Sequence, residues 1–193
     1  MTIPNLAQHS AGSSITLGRE ALLQALGERL RSERRLVIGT DPILKCSSGV
    51  GQTHLVSRLV ENLTGGVVTL LELSCQTPVT WQASLLRAAC QLGIRQTRFR
   101  RLTDLTGAIR SWLRSHENWL LVADSLNSLH ALDDLIAGCD SGRVIAVLCQ
   151  PSSGKTPNWP AAVPLGALTS DDALRLLGMA TGPISTGSQV ASQ

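Results

Sequence analysis

The sequence predicts an α/β domain, a mainly parallel sheet flanked by helices in three layers. Three observations carry that prediction. Short apolar and β-branched runs alternate with longer segments whose apolar residues recur every three or four positions. The runs 67–73 and 143–148 are apolar almost throughout, as strands buried on both faces require. The 193 residues are 43% hydrophobic and 16% charged, which fits one domain with a real core and excludes a disordered or collagen-like chain. With four Trp, one Phe and no Tyr, that core is aliphatic.

The elements follow in order. Residues 1–14 are a polar lead. The spacing predicts a helix over 20–30, with Leu22, Leu23, Leu26 and Leu30 on one face. Arg31 to Arg35 is a basic stop before a short strand, Leu36-Val37-Ile38-Gly39. Thr40-Asp41-Pro42 reads as a turn, and Ile43-Leu44 resumes an apolar run. A Gly/Ser loop, Cys46-Ser47-Ser48-Gly49-Val50-Gly51, leads to a helix over 53–63 that Gly65-Gly66 breaks. Residues 67–73 form the second strand. Residues 80–92 read as a helix with Leu85, Leu86, Ala89 and Cys90 inward. Residues 102–115 read as another, with Leu105, Ala108, Ile109, Trp112 and Leu113 on one side. A strand over 119–123 ends at Asp124, a helix covers 126–137, and 143–148 is the fourth strand. A loop rich in Pro and Ser spans 151–164. Ser170 opens a short helix over 170–177 as N-cap, with Asp171 and Asp172 in its first turn. The domain is thus 15–178, and 179–193 reads as a disordered tail.

Composition excludes several classes of function. No run of 18 apolar residues exists to span a membrane. The first residues lack the basic-then-apolar order of a secretory signal, which predicts a cytoplasmic protein. Five scattered cysteines fit a reducing compartment, and no spacing suggests a metal cluster. A formal net charge of +3 does not support nucleic-acid binding.

A strand, a glycine loop and a helix together make the setting of a phosphate-binding loop, whose motif is G-x-x-x-x-G-K-[ST]. Glycines let backbone N–H groups wrap a phosphate, the helix N-terminus adds its dipole, a lysine neutralises charge and the hydroxyl holds magnesium. Here the window is Cys46-Ser47-Ser48-Gly49-Val50-Gly51-Gln52-Thr53. Gly51 and Thr53 fit, Cys46 replaces the first glycine and Gln52 replaces the lysine. A neutral amide makes a weaker phosphate contact than a cation. The expectation is weakened nucleotide binding and impaired hydrolysis, since phosphoryl transfer depends on neutralising developing charge. The same window also fits a plain Gly/Ser turn with Thr53 near a helix cap.

A second match, Cys149-Gln150-Pro151-Ser152-Ser153-Gly154-Lys155-Thr156, has the lysine but no helix behind it, and Lys155 reads as a surface residue. Only two lysines exist, Lys45 and Lys155, against 15 arginines. Trp119-Leu120-Leu121-Val122-Ala123-Asp124 is an apolar strand ending in an acid, so it puts a carboxylate near a magnesium held by Thr53. Asp124 is therefore the candidate catalytic and metal residue, and Ser125 stands where a second acid often follows. The alternative is that Asp124 and Ser125 cap the next helix.

The order of segments resembles the NB-ARC branch of the STAND P-loop ATPases. Leu17-Gly18-Arg19-Glu20 before a Leu-rich helix resembles that family's opening motif, and the resemblance implies that Gly18 and Arg19 lie near an adenine. Gly49-Val50-Gly51-Gln52-Thr53-His54-Leu55 resembles its phosphate loop, with Gln for Lys. Trp119 to Asp124 is similar to its Walker B strand, Gly142 to Val147 to its sensor strand, and Pro164 to Leu174 to the segment leaving the core. The resemblance covers about residues 15–178. It implies a three-layer P-loop NTPase-like domain binding ADP or ATP with Mg, in a signalling module that acts on a protein partner or on effector and sensor domains. The departures lie in the groups that handle the γ-phosphate. Gln52 replaces the lysine, Ser125 the second acid, and Cys149-Gln150 a sensor arginine. The helical subdomains that the resemblance implies after the core are also missing from these residues. It therefore predicts a degenerate, non-hydrolysing module. A nucleotide-free interaction domain and an ATPase using Lys45 are the alternatives.

The smaller features carry less. Arg95, Arg98, Arg100 and Arg101 read as a solvated loop, and His54 as a packing or surface residue unless the phosphate loop uses it. His116 and His130 lack acidic or Cys company.

Overall fold

The computed structural model describes residues 17–41, 43, 49–63, 67–95, 101–149 and 157–181. Strand residues alternate between two apolar faces, and this builds the three layers. The strands are β1 (Arg35–Thr40), β2 (Thr69–Ser74), β3 (Trp119–Leu126), β4 (Arg143–Leu148) and β5 (Val163–Leu165). The helices are α1 (Glu20–Glu33), α2 (Gln52–Leu63), α3 (Pro78–Gln91), α4 (Leu102–Ser115), α5 (His130–Ile136) and α6 (Ser170–Thr181). All strand pairs are parallel, in the order β2-β3-β4-β1-β5.

Leu36, Ile38, Leu120, Val122, Ile145 and Val147 face α1 and α2. Val37, Leu71, Leu121, Ala123, Val144 and Ala146 face α3, α4 and α5. The α1 residues Leu23, Leu26 and Leu30 bury against Leu55, Leu59 and Val60 of α2. Trp119 is 1% exposed, and its indole N–H donates to the Leu113 carbonyl at 2.9 Å, which ties β3 to α4. No described helix is long and apolar enough to cross a membrane.

Several boundaries differ from the sequence reading. β3 runs two residues past Asp124, so Leu126 is in the strand and α5 starts only at His130. Ser128 Oγ accepts from the His130 N–H at 3.3 Å, so Asp124 and Ser125 do not cap that helix. β5 begins inside the stretch expected to be loop and ends one residue past it. Three residues around Pro164 give no strand signal, and a proline's missing N–H is tolerated at a sheet edge.

α6 extends to Thr181, past the expected boundary at 178. Its cap is Thr169 rather than Ser170: Thr169 Oγ1 accepts from the Asp172 N–H at 3.1 Å and donates to Asp172 Oδ2 at 2.7 Å. On α3 the inward set is Ser84, Leu85, Ala88 and Ala89, while Leu86 and Cys90 are exposed. Ile43 lies in a turn and is 85% exposed, so the strand that feeds the glycine loop is β1, ending at Thr40. Leu44, Lys45, Cys46, Lys155, residues 96–100 and the tail from 182 lie outside the described residues.

Candidate functional site at the carboxyl edge of the sheet

The chain leaves β1 for α2 on one face of the sheet, and leaves β2 and β3 for helices on the other. The crevice at the carboxyl ends of β1, β4 and β3 is therefore the switch point of the topology, where open α/β sheets place ligands. The sequence-predicted residues converge there. Gly49 and Gly51 have φ of +86° and +83°, the left-handed region that favours glycine. The Gly51 carbonyl accepts from the Leu55 N–H at 2.9 Å, so α2 begins directly at the loop. Its first amide N–H groups, from Gln52 to His54, have no carbonyl a turn earlier in the helix to bond.

The central contact joins residues 71 apart. Thr53 Oγ1 donates to Asp124 Oδ2 at 2.9 Å. A local irregularity aims the carboxylate. The β3–β4 register shifts between Ala123 and Leu126, and Ser125 has φ +64°. Such a bulge re-aims a side chain out of strict alternation. Ser125 Oγ sits 3.5 Å from Asp124 Oδ1, a loose contact on the second carboxylate oxygen.

Gln52 turns inward. Its Nε2 donates to Thr40 Oγ1 at 3.4 Å and to the Leu148 carbonyl at 3.3 Å, bridging the ends of β1 and β4. These bonds are long, so they hold the amide weakly. His54 is exposed on the first turn of α2 and has no described bond into the crevice.

Arg19 reaches the loop from the start of α1. Its Nη2 donates to the Val50 carbonyl at 3.2 Å and to the Gly166 carbonyl at 2.7 Å. Burial lowers the guanidinium from its usual value. Gly18 has φ +73°, and a Cβ there would collide with the Asp172 carboxylate of α6. The opening motif, the loop and the β5–α6 connection thus meet at one place.

Sequence reasoning gave no site role to Thr40, Cys75, Cys149 or Gly166, placing Cys149 only at the end of the sensor strand and Gly166 only in the segment leaving the core. The first three stand at or just beyond strand ends, and a parallel sheet brings all such positions to one edge, so that signal was legible. Gly166 was not, because β5 was not. Cys75 follows β2 and its N–H donates to the Asp124 carbonyl at 2.8 Å. Burial first, then the charges of Asp124 and Cys149, push its thiol up to about 12, so it is inert at neutral pH.

Thr53 Oγ1 and the Asp124 carboxylate are hard oxygen donors that meet at 2.9 Å from two different elements. That donor set suits Mg, which takes one or two protein ligands and completes its shell with phosphate and water. Among the described residues no group of three His, Cys, Asp or Glu side chains is placed to hold a metal by itself. Two surface cavities, of about 620 and 450 Å³, lie instead at the opposite, amino end of the sheet around Arg35, Asp133 and Asp140. Neither touches the loop or Asp124, and ligands of this topology sit at the carboxyl end, so the crevice remains the candidate site. In comparison with known proteins, the chain matches no family model and no curated protein.

Proposed function

We propose that this domain is a degenerate nucleotide-binding module that holds ADP or ATP, with Mg, at the carboxyl edge of its sheet without hydrolysing it. The observation that carries this reading is the Thr53–Asp124 hydrogen bond of 2.9 Å. It joins the hydroxyl at the start of the loop's helix to the acid at the end of a strand, which are the two groups a nucleotide-bound magnesium needs. The left-handed Gly49 and Gly51 support it, as does β4 inserted between the strand feeding the loop and the strand carrying the acid. In this reading the amides of Gly51, Gln52 and Thr53 bind phosphate oxygens, and Thr53 and Asp124 orient the cation that neutralises them.

Hydrolysis lacks its groups. Gln52 carries no charge and is drawn toward Thr40 and Leu148. Ser125 offers a hydroxyl where a carboxylate would polarise water. The chain leaves β4 at Cys149 and not at an arginine. We propose, with the NB-ARC-like segment order in support, that the module is cytoplasmic and signals by changing contacts with a protein partner. A second reading is a nucleotide-free interaction domain. It is favoured by the crevice satisfying its own polar groups, since Gln52, Thr40, Thr53 and Asp124 already bond within the protein.

Calorimetric titration with ADP and ATP, with and without Mg, on the wild type and Gln52→Lys separates the readings. Weak binding is expected from the wild type and binding about tenfold tighter from Gln52→Lys, since a charged contact gains roughly 1 to 1.5 kcal/mol over a neutral one. No heat from either protein refutes nucleotide binding and leaves the second reading. Phosphate release by the wild type refutes the loss of hydrolysis, and its abolition by Lys45→Ala would assign the activity to that lysine.

A further inference from the structure

We infer that Arg19 is a positioning residue that fixes the direction of the Gly51 amide by holding the opposite end of the same peptide. The inference rests on the nucleotide-binding reading of the crevice and gives Arg19 a role other than touching the ligand. The peptide between Val50 and Gly51 is trans, as are all described peptides, so its C=O and N–H point in opposite directions. Arg19 Nη2 binds the Val50 carbonyl at 3.2 Å. The Gly51 N–H is thereby aimed out of the opposite edge of the peptide, within its plane, and it has no acceptor among the described residues.

This peptide turns about ψ of Val50 and φ of Gly51, and Gly51, left-handed and without a Cβ, makes it easy to rotate; among the described residues outside its chain neighbours no atom lies within 4 Å of the place that Cβ would take. Among the described residues no side chain packs at that position to wedge the plane in place. The constraint comes from Arg19, which is itself anchored three ways. Its carbonyl accepts from the Leu23 N–H at 2.9 Å in the first turn of α1. The same Nη2 binds the Gly166 carbonyl at 2.7 Å. Gly18, just before it, packs against Asp172 at the start of α6. Both carbonyls are held by the two N–H bonds of one nitrogen, whose directions the guanidinium plane fixes, whereas the ammonium of a lysine rotates freely at the end of a flexible stem.

The experiment uses the full chain, ¹⁵N-labelled, titrated with inorganic pyrophosphate and separately with ADP. Amide shifts of residues 49–54 and the Kd are followed in wild type, Arg19→Lys and Arg19→Gln, with melting midpoints recorded. In the wild type the Gly51 amide proton is expected to move downfield and saturate. In both variants that shift should be lost and Kd should rise roughly tenfold or more, the value of one forfeited charge-assisted bond, while the Thr53 amide still responds. Equal loss in both variants marks positioning. Recovery by Arg19→Lys means the residue acts as a charge on the ligand, which overturns the inference. It is also overturned if both variants keep the Gly51 shift and a Kd within twofold of wild type. Should a variant fail to fold, the wild type decides by itself. Separate, slowly exchanging Arg19 Nη resonances that persist in the pyrophosphate complex are expected, and a single averaged resonance overturns the inference. If neither pyrophosphate nor ADP shifts any amide from 49 to 54 in the wild type, it is the nucleotide-binding reading that fails.

Discussion

Replacing Gly51 with alanine tests whether the loop is held in the conformation a phosphate needs. Gly51 has φ +83°, and among the described residues, its chain neighbours aside, no atom lies within 4 Å of the position its Cβ would take. The cost is therefore conformational and not steric. An alanine in the left-handed region costs about 1–2 kcal/mol, and its stiffer unfolded chain returns about 0.4–1 kcal/mol. If the loop keeps its shape, Gly51→Ala lowers stability by about 1 kcal/mol and leaves ADP affinity unchanged. If the loop relaxes, stability holds and the strain appears on binding, as a Kd about 5- to 30-fold weaker. Gly93 is the control. It has φ +71°, equally open surroundings, and a place after α3 outside the described site. Gly93→Ala should lose similar stability with no change in affinity. Thermal melts and ADP titrations of both variants give the answer. Gly51→Ala with both quantities unchanged, beside a destabilised Gly93→Ala, would refute the left-handed loop and the argument built on it.

Two further predictions concern the frame of the site. A Cβ at Gly142 would fall inside the indole of the buried, hydrogen-bonded Trp119, whereas one at Gly107 in α4 meets nothing. Gly142→Ala should therefore destabilise by about 3 kcal/mol in urea unfolding, and Gly107→Ala should stabilise by about 0.5–1 kcal/mol; equal effects would show the Trp119 packing to be wrong. Cys75 supplies a pH test. Its thiol is pushed from the usual 9.0 up to about 12 by burial, with Asp124 and Cys149 adding to it. Between those values the unfolded chain loses a proton that the folded chain keeps, so stability falls as pH rises from 9 toward 12 and is unaffected below 9. Cys75→Ala should flatten that slope in melts at stepped pH, and an unchanged slope would place its cause elsewhere.

Much of the fold was legible because burial on both sheet faces writes itself into the sequence. Residues 143–148 form β4 and residues 102–115 form α4 with the boundaries that periodicity predicts. The readings that failed are those where local sequence carries little signal. β5 is three residues with a proline at its centre and exists through its pairing with β1. The apolar run of β3 stops at Asp124, so the sequence predicts a strand that ends there, yet the strand continues through a left-handed Ser125 under the hold of its neighbours in the sheet. Thr169 and Ser170 offer the same hydroxyl one residue apart, spacing alone does not choose between them, and the structure makes Thr169 the cap.

The site divides in the same way. Glycine, glutamine, threonine and aspartate types, and the missing lysine, were fixed by sequence, because chemistry depends on which atoms are present. That Thr53 meets Asp124 across 71 residues was decided by the parallel order β2-β3-β4-β1-β5, since a crossover topology determines which strand ends share an edge. Arg19 on Val50 and Gly166, and Gln52 turned toward Thr40 and Leu148, were decided there too. A hydrogen bond is a matter of distance and direction, and between residues far apart in the chain only the folded packing of α1, α2 and the sheet supplies either.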